Sequence, residues 1–175
     1  MILAGFERMS ELLAAKGVVG EIDDGGGAAM MLAFQARQST KDVDAVFAPT
    51  REIREAVAQV AQELDLAPDW LNDAAKAFLS PRGEFTEAHM PQFPSLRVLM
   101  PTPQYLLAMK VMASRVGSLD SAGDKSDIAF LIRYAGLKDA AQVLEIVEQY
   151  YPSSQVLPRA VYLLEEIFQQ LGEEF

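Results

Sequence analysis

The chain has 175 residues and a formal net charge of −10, half of its residues are hydrophobic, and it contains no cysteine. This length allows one sizeable core, and the hydrophobic share excludes a disordered chain. The absence of cysteine excludes disulfides, thiolate metal sites and cysteine nucleophiles. The negative charge argues against broad, sequence-independent binding of nucleic acid. No apolar run approaches the roughly 20 residues of a membrane span, so we expect a cytoplasmic protein without a membrane partner.

The first hundred residues alternate between strand and helix patterns. Apolar spacing and turn residues predict a helix ending at Gly17, a strand over 18–22, a helix over 28–36, a strand over 43–47, a helix capped by Thr50 and running to Leu64, and a helix over 69–78. Trp70 is expected to anchor in the core. An irregular stretch over 80–94 precedes a third strand over 95–100.

The remaining residues show only helix patterns. Thr102 and Pro103 supply a cap and a first-turn proline for a helix to about residue 115, and three further helices are predicted over 124–134, 139–151 and 158–172. The chain is therefore predicted to be α/β (α+β), with an α/β core over residues 1–100 and a helical part over 101–175. We expect the two parts to pack as one compact unit.

Two short motifs in the first part point to chemistry. Glycines 25–27 open the second helix, and Asp42 and Asp44 flank Val43. Glycines let backbone N–H groups approach an anion closely, and two carboxylates can hold a divalent cation on the same phosphates. Side chains at i and i+2 of a strand share a face, so Asp42 and Asp44 are predicted to point together, away from the core. The pair is a candidate Mg²⁺ or Mn²⁺ site.

Both motifs also have purely structural explanations. A lone Asp-x-Asp is more often a polar pair at a solvated strand end, and glycines before a helix often form a tight turn. Neither the P-loop spacing nor the G-x-G-x-x-G fingerprint is present. Four basic residues surround the Asp-x-Asp and place positive charge where a phosphate would sit: Arg37, Lys41, Arg51 and Arg54.

The order of these motifs resembles the DNA polymerase β-like nucleotidyltransferase superfamily, in particular the small bacterial nucleotidyltransferases related to AbiEii-type abortive-infection toxins. Its first motif is similar to the glycine turn, helix, Arg37-x-Ser39 and Asp42-Val-Asp44 of this chain. Its lysine-bearing helix and later arginine and aspartates are similar to Tyr105–Lys110 and to the stretch from Arg115 through Asp124 to Asp127.

The resemblance implies a nucleotidyltransferase-like fold and an Mg²⁺-dependent transfer of a nucleoside monophosphate from an NTP. The acceptor would be RNA, with a tRNA 3′ end as one option, or a protein, and a small molecule stays open. An RNA-modifying member would act as a toxin paired with an antitoxin. The residues implied are Asp42 and Asp44 as catalytic metal ligands, and Gly25, Gly26, Gly27, Ser39, Lys110 and Asp127 at the nucleotide. Lys110 could equally be a solvated helix lysine and Asp124 a helix cap.

Three departures from the family pattern are present, and the second and third of them favour an alternative. Ala28 follows the glycines where a serine or threonine is usual, and Asp23-Asp24 places negative charge beside the proposed anion site. The third strand carries Arg97 and no acid, so the third metal carboxylate is missing. The alternative is a catalytically inactive nucleotidyltransferase-fold protein whose acidic helical part binds a protein partner.

Overall fold

The computed structural model describes residues 1–32, 34, 42–88, 90–114 and 122–173. These residues form two compact units. One unit comprises Met1–Ala77 and Phe85–Pro101 and combines helices with a sheet. The other comprises Phe78–Glu84 and the residues from Thr102 on, and it is helical. The α/β fold class is therefore confirmed.

The α/β unit contains a five-stranded mixed sheet. Its helices are α1 (Ile2–Ala15), α2 (Gly27–Leu32) and α3 (Thr50–Leu64), and its strands are β1 (Gly20–Asp24), β2 (Val43–Ala48), β3 (Leu71–Asn72), β4 (Phe85–Thr86) and β5 (Leu96–Pro101). The strand order is β3-β2-β1-β5-β4. Strand β1 pairs antiparallel with β2 and parallel with β5, so it lies at the centre of the sheet.

Alternating burial along the central strands separates a core face from a more exposed face. In β2, Val43, Ala45 and Phe47 are buried, and α1 and α3 pack with them into one apolar core. The core also encloses Trp70, which is 1% exposed and donates its indole N–H to the Val57 carbonyl at 3.1 Å. Burying this much apolar surface is the main favourable term in folding. The prediction that Trp70 anchors in the core is confirmed.

Three local predictions in this unit are wrong. The residues after Trp70 form the short strand β3 and a 3₁₀ turn at Ala74–Ala77, because β3 pairs with β2 and this tertiary pairing overrides the helical pattern. The residue that precedes α3 is Pro49, so Thr50 is the first helical residue and not its cap. Strand β1 begins two residues later than predicted.

The helical unit follows the predicted order of helices. It contains α4 (Pro103–Ser114), α5 (Ala122–Ala135), α6 (Ala140–Tyr150) and α7 (Pro158–Glu173). Asp139 caps α6 by accepting from the Gln142 amide at 2.9 Å, and Gly136 follows α5 with a φ of +67°. Tyr105 and Tyr150 pack ring to ring, with centroids 5.0 Å apart. Among the helices that the structure describes, none is both long enough and apolar enough to cross a bilayer.

Candidate functional site

The glycine turn lies directly against the strand that carries the Asp-x-Asp motif. The Gly25 amide donates to the Asp44 carbonyl at 2.6 Å, which continues the pairing of β1 with β2. A Cβ on Gly25 would lie 2.5 Å from the Ala75 Cβ and 2.7 Å from the Asp44 carbonyl oxygen. Gly26 has a φ of 133°, a backbone conformation that residues other than glycine rarely adopt. The first two glycines are therefore required by close approach and by backbone conformation.

The two aspartates of the motif lie on one exposed side of β2. Asp42 precedes the strand, Asp44 is its second residue, and both are exposed. Val43 and Ala45 between and after them are fully buried. This alternation is the one predicted from the strand period, so the exposure of both aspartates beside buried neighbours is confirmed.

The surroundings of Asp42 disfavour its charged form. Partial desolvation raises the pKa of the Asp42 carboxyl, and the like charges of Asp44 and Asp69 raise it further. A bound cation would relieve this repulsion. Among the described residues no three histidine, aspartate or glutamate side chains converge into a metal-binding group. Two carboxylates are nevertheless enough for Mg²⁺, because this ion commonly shares its remaining positions between waters and substrate phosphates.

The Asp24 carboxylate lies beside the glycine turn, at the start of α2. This side chain is fully buried, and one carboxylate oxygen accepts a hydrogen bond from the Ala29 amide, in the first turn of α2, at 2.8 Å. A carboxylate of the chain itself therefore binds an amide at the helix start, where phosphate binding was expected. The Gly25 amide is committed to Asp44. Of the three glycines predicted to contact an anion through their backbone amides, Gly26 and Gly27 therefore remain.

This role of Asp24 could have been predicted from its position before α2. An acidic residue a few positions before a helix commonly satisfies backbone N–H groups of the first turn. The glycines between Asp24 and α2 instead indicated the binding of an external anion. Part of the negative charge predicted beside the glycine turn therefore accepts a hydrogen bond from the backbone, namely the Asp24 carboxylate from the Ala29 amide.

Asp23 lies on the opposite face of β1 from Asp24, beside Glu21. Desolvation raises the pKa of the Asp23 carboxyl to about 6, the negative Glu21 adds to the rise, and Arg97 opposes it. One of its carboxylate oxygens is buried without a hydrogen-bond partner. Asp23 is thus a partly buried acid that holds a proton more readily than an exposed aspartate.

Strand β5, on which the resemblance would place a third carboxylate, carries Arg97 and no acid. Arg97 is paired with Glu21 at 3.0 Å and with Glu87 at 2.7 Å. These two pairs raise the pKa of the Arg97 guanidinium, with Glu87 as the larger cause. Strand β5 therefore supplies a paired cation beside β1 and no additional metal ligand, as the sequence indicated.

Two further predicted site residues meet inside the helical unit. The Lys110 ammonium lies 2.9 Å from an oxygen of Asp127, and their side chains are 13% and 4% exposed. Lys110 is on α4 and Asp127 on α5, so the contact joins residues 17 positions apart. A carboxylate buried to this extent needs a partner that compensates for its lost hydration, and the Lys110 ammonium supplies one. The interpretation of Lys110 as a solvated lysine is therefore wrong.

Two predicted positions lie outside what the structure describes. Ser39, together with the nearby Arg37 and Lys41, falls in the stretch 35–41, and Arg115 falls in 115–121. Asp124 lies on α5, but its side chain is not among those described. Comparisons of the chain with family models, with curated proteins and with solved structures return no match.

Proposed function

We propose that the protein is a minimal nucleotidyltransferase that moves a nucleoside monophosphate from an NTP to a hydroxyl acceptor. The observation that carries the proposal is the Gly25–Asp44 hydrogen bond of 2.6 Å, which holds the glycine turn against the strand with the two exposed carboxylates. A turn suited to phosphate and a pair of metal-ligand carboxylates are thereby neighbours in one unit.

The reaction is a displacement at the α-phosphorus. The acceptor oxygen forms a bond to that phosphorus, the bond from phosphorus to the bridging oxygen of the β-phosphate breaks, and pyrophosphate leaves. The hydroxyl proton passes to solvent. Asp42 and Asp44 would hold Mg²⁺ or Mn²⁺, which supplies neutralisation of the phosphate charge. Gly26 and Gly27 orient the triphosphate through their backbone, and such positioning accounts for much of the rate in phosphoryl transfer.

The raised pKa of Asp42 supports the metal assignment. Desolvation is the largest cause, and the neighbouring Asp44 and Asp69 add to it, so the folded chain concentrates negative charge beside the proposed metal site. The family resemblance adds Lys110 and Asp127 as nucleotide-binding residues, and this assignment stays a prediction. An RNA acceptor, a toxin role and an antitoxin partner likewise come from the resemblance alone.

The test is incubation of the protein with each labelled NTP, Mg²⁺ and total cellular RNA and protein. We expect label in the RNA or protein fraction, lost by at least about 100-fold in Asp42→Asn and Asp44→Asn, since each removes a charged ligand at the reacting phosphates. Glu165→Gln is the matched control, because Glu165 is an exposed acid on α7. Label that persists in Asp44→Asn would contradict the proposal.

A second candidate function is that of a non-catalytic nucleotidyltransferase-fold protein that binds a protein partner. The observation in its favour is the Asp24 carboxylate, which already binds the Ala29 amide at the start of α2. Calorimetric titration with the four NTPs and Mg²⁺ separates the candidates. Binding that weakens in Asp42→Asn favours the enzyme, and the absence of binding to any NTP favours the second candidate.

A further inference from the structure

A cavity of about 490 Å³ lies in the helical unit, between the end of α5 and the last turns of α7. Its volume is within the range of about 300 to 1,000 Å³ that is usual for small-molecule sites. The buried Ile132 and Leu171 form part of its wall, together with the partly exposed Leu137 and Phe168. The cavity therefore offers an apolar wall to a ligand that has an apolar body.

Two glycines contribute to the open space of this cavity. Gly136 and Gly172 both line it, and a Cβ on either would meet no atom of the described residues within 4 Å. Gly136 follows α5 with a φ of +67°, and the next amide, that of Leu137, donates to the Ile132 carbonyl at 3.1 Å. This turn at the end of α5 brings Leu137 and Lys138 to the cavity, so the local sequence explains both its space and part of its lining.

The charged side chains that line the cavity are basic. They are Arg133 and Lys138, and no acid lines it in the part of the chain that the structure describes. The neighbouring Asp139 accepts from the Gln142 amide at 2.9 Å and caps α6. Arg133 already interacts elsewhere in the protein, whereas the exposed Lys138 ammonium pairs with none of the described acids. In a chain with a net charge of −10, this basic opening favours an anionic ligand at Lys138.

We propose that this cavity binds a free medium-chain aliphatic carboxylate. The aliphatic chain packs against Ile132, Phe168 and Leu171, and the carboxylate lies at the Lys138 ammonium, which binds it as a point charge. One assigned ammonium matches one negative charge. A concave site of this volume suits a small molecule, whereas a stable protein interface needs roughly 800 Å² on each partner. The site lies wholly in the helical unit and does not depend on the transfer reaction proposed above.

The experiment is calorimetric titration of the full chain with hexanoate, octanoate and decanoate, below micelle formation and without NTP or Mg²⁺. We expect one ligand per chain and a gain in affinity of about fourfold for each added methylene, as methylene burial predicts. Octylammonium has the same chain and the opposite charge, and it should bind at least about tenfold more weakly than octanoate. Lys138→Met should weaken octanoate binding about fivefold, as loss of an exposed ion pair predicts. Lys125→Met is the matched control and should bind as the wild type does, because Lys125 pairs with Glu166 and does not line the cavity.

A second variant fills the cavity. Gly172→Leu places a side chain in the open space beside α7 and should weaken octanoate binding at least about tenfold. Gln170→Leu adds the same side chain at an exposed position of α7 that does not line the cavity, and it should bind as the wild type does.

Three results would overturn the inference: no saturable binding of any of the carboxylates, an affinity that does not change with chain length, or unchanged octanoate binding in either Lys138→Met or Gly172→Leu. Sedimentation velocity with and without octanoate tests the other occupant, a second copy of the chain. A dimer that persists in octanoate and dissociates in Gly172→Leu would assign the cavity to that second copy and also overturn the inference.

Discussion

The α/β unit and the helical unit hold their candidate site carboxylates in opposite ways. In the α/β unit, Asp42 and Asp44 are exposed, and the backbone around them is fixed by the close contact of Gly25 with Asp44. In the helical unit, Asp127 is buried and its charge is balanced by Lys110 at 2.9 Å. The exposed acids keep their oxygens accessible to a cation, while the buried acid serves to fix the position of Lys110 between two helices. Asp42 and Asp44 thus provide accessible carboxylate oxygens, whereas Asp127 holds Lys110 in a fixed position.

Breaking the buried pair should have the largest effect on stability. Lys110→Met leaves the Asp127 charge buried without its cation, and we expect a loss of about 3 kcal/mol in the free energy of unfolding. Urea denaturation measures it. The control is Lys125→Met, whose pair with Glu166 is similar in length at 3.0 Å but more exposed, and it should cost less than about 1 kcal/mol. Equal losses in both variants would remove the contrast between buried and exposed pairs.

The exposed acids should behave differently in the same assay. Asp44→Asn is expected to change the free energy of unfolding by less than about 0.5 kcal/mol, since the side chain is exposed on β2. A large destabilisation by Asp44→Asn would mean that this carboxylate stabilises the fold, as Asp127 is expected to do.

The steric fit of the glycine turn should give the second largest effect. Gly25→Ala places a Cβ 2.5 Å from the Ala75 Cβ, so β2 or the 3₁₀ turn must shift, and we expect a loss of about 2 kcal/mol by thermal or urea unfolding. Gly172→Ala is the control, because a Cβ there meets nothing within 4 Å and α7 should gain about 0.5 kcal/mol. A tolerated Gly25→Ala would show that the turn does not fix Asp44.

A smaller effect than that of Gly25→Ala is expected at Asp23, and it depends on pH. Its pKa rises from 3.8 to about 6 in the folded protein, so the folded chain binds this proton more tightly than the unfolded chain. The stabilisation by the proton is complete below about pH 4 and is lost as pH rises to about 6. Asp23→Asn escapes this loss and should be about 1 kcal/mol more stable than wild type at pH 7, after allowance for partial exposure. Urea titrations between pH 4 and 7 measure the difference, and a difference that is constant with pH would contradict the assignment.

Much of the local structure could be read from spacing alone. The period of two around Val43 and Ala45 correctly placed Asp42 and Asp44 on one exposed side of β2. Helical periodicity located α1 and the helices from α4 on, with differences of one or two residues at their ends. These patterns succeed because the side chains that must be buried recur with the period of the element that buries them.

Other features depend on partners that are distant in sequence. Strand β3 forms where a helix was predicted because β2 pairs with it, and the Lys110 side chain is only 13% exposed because its ammonium pairs with Asp127 on another helix. The Asp24 side chain points to the buried face of β1, toward Ala29, because of the register of this strand. A shift of one residue would exchange the two faces of the strand. Composition and periodicity therefore defined the elements and the exposed acids, whereas the long-range contacts decided which carboxylates are buried and paired, because desolvation and pairing depend on what the fold brings together.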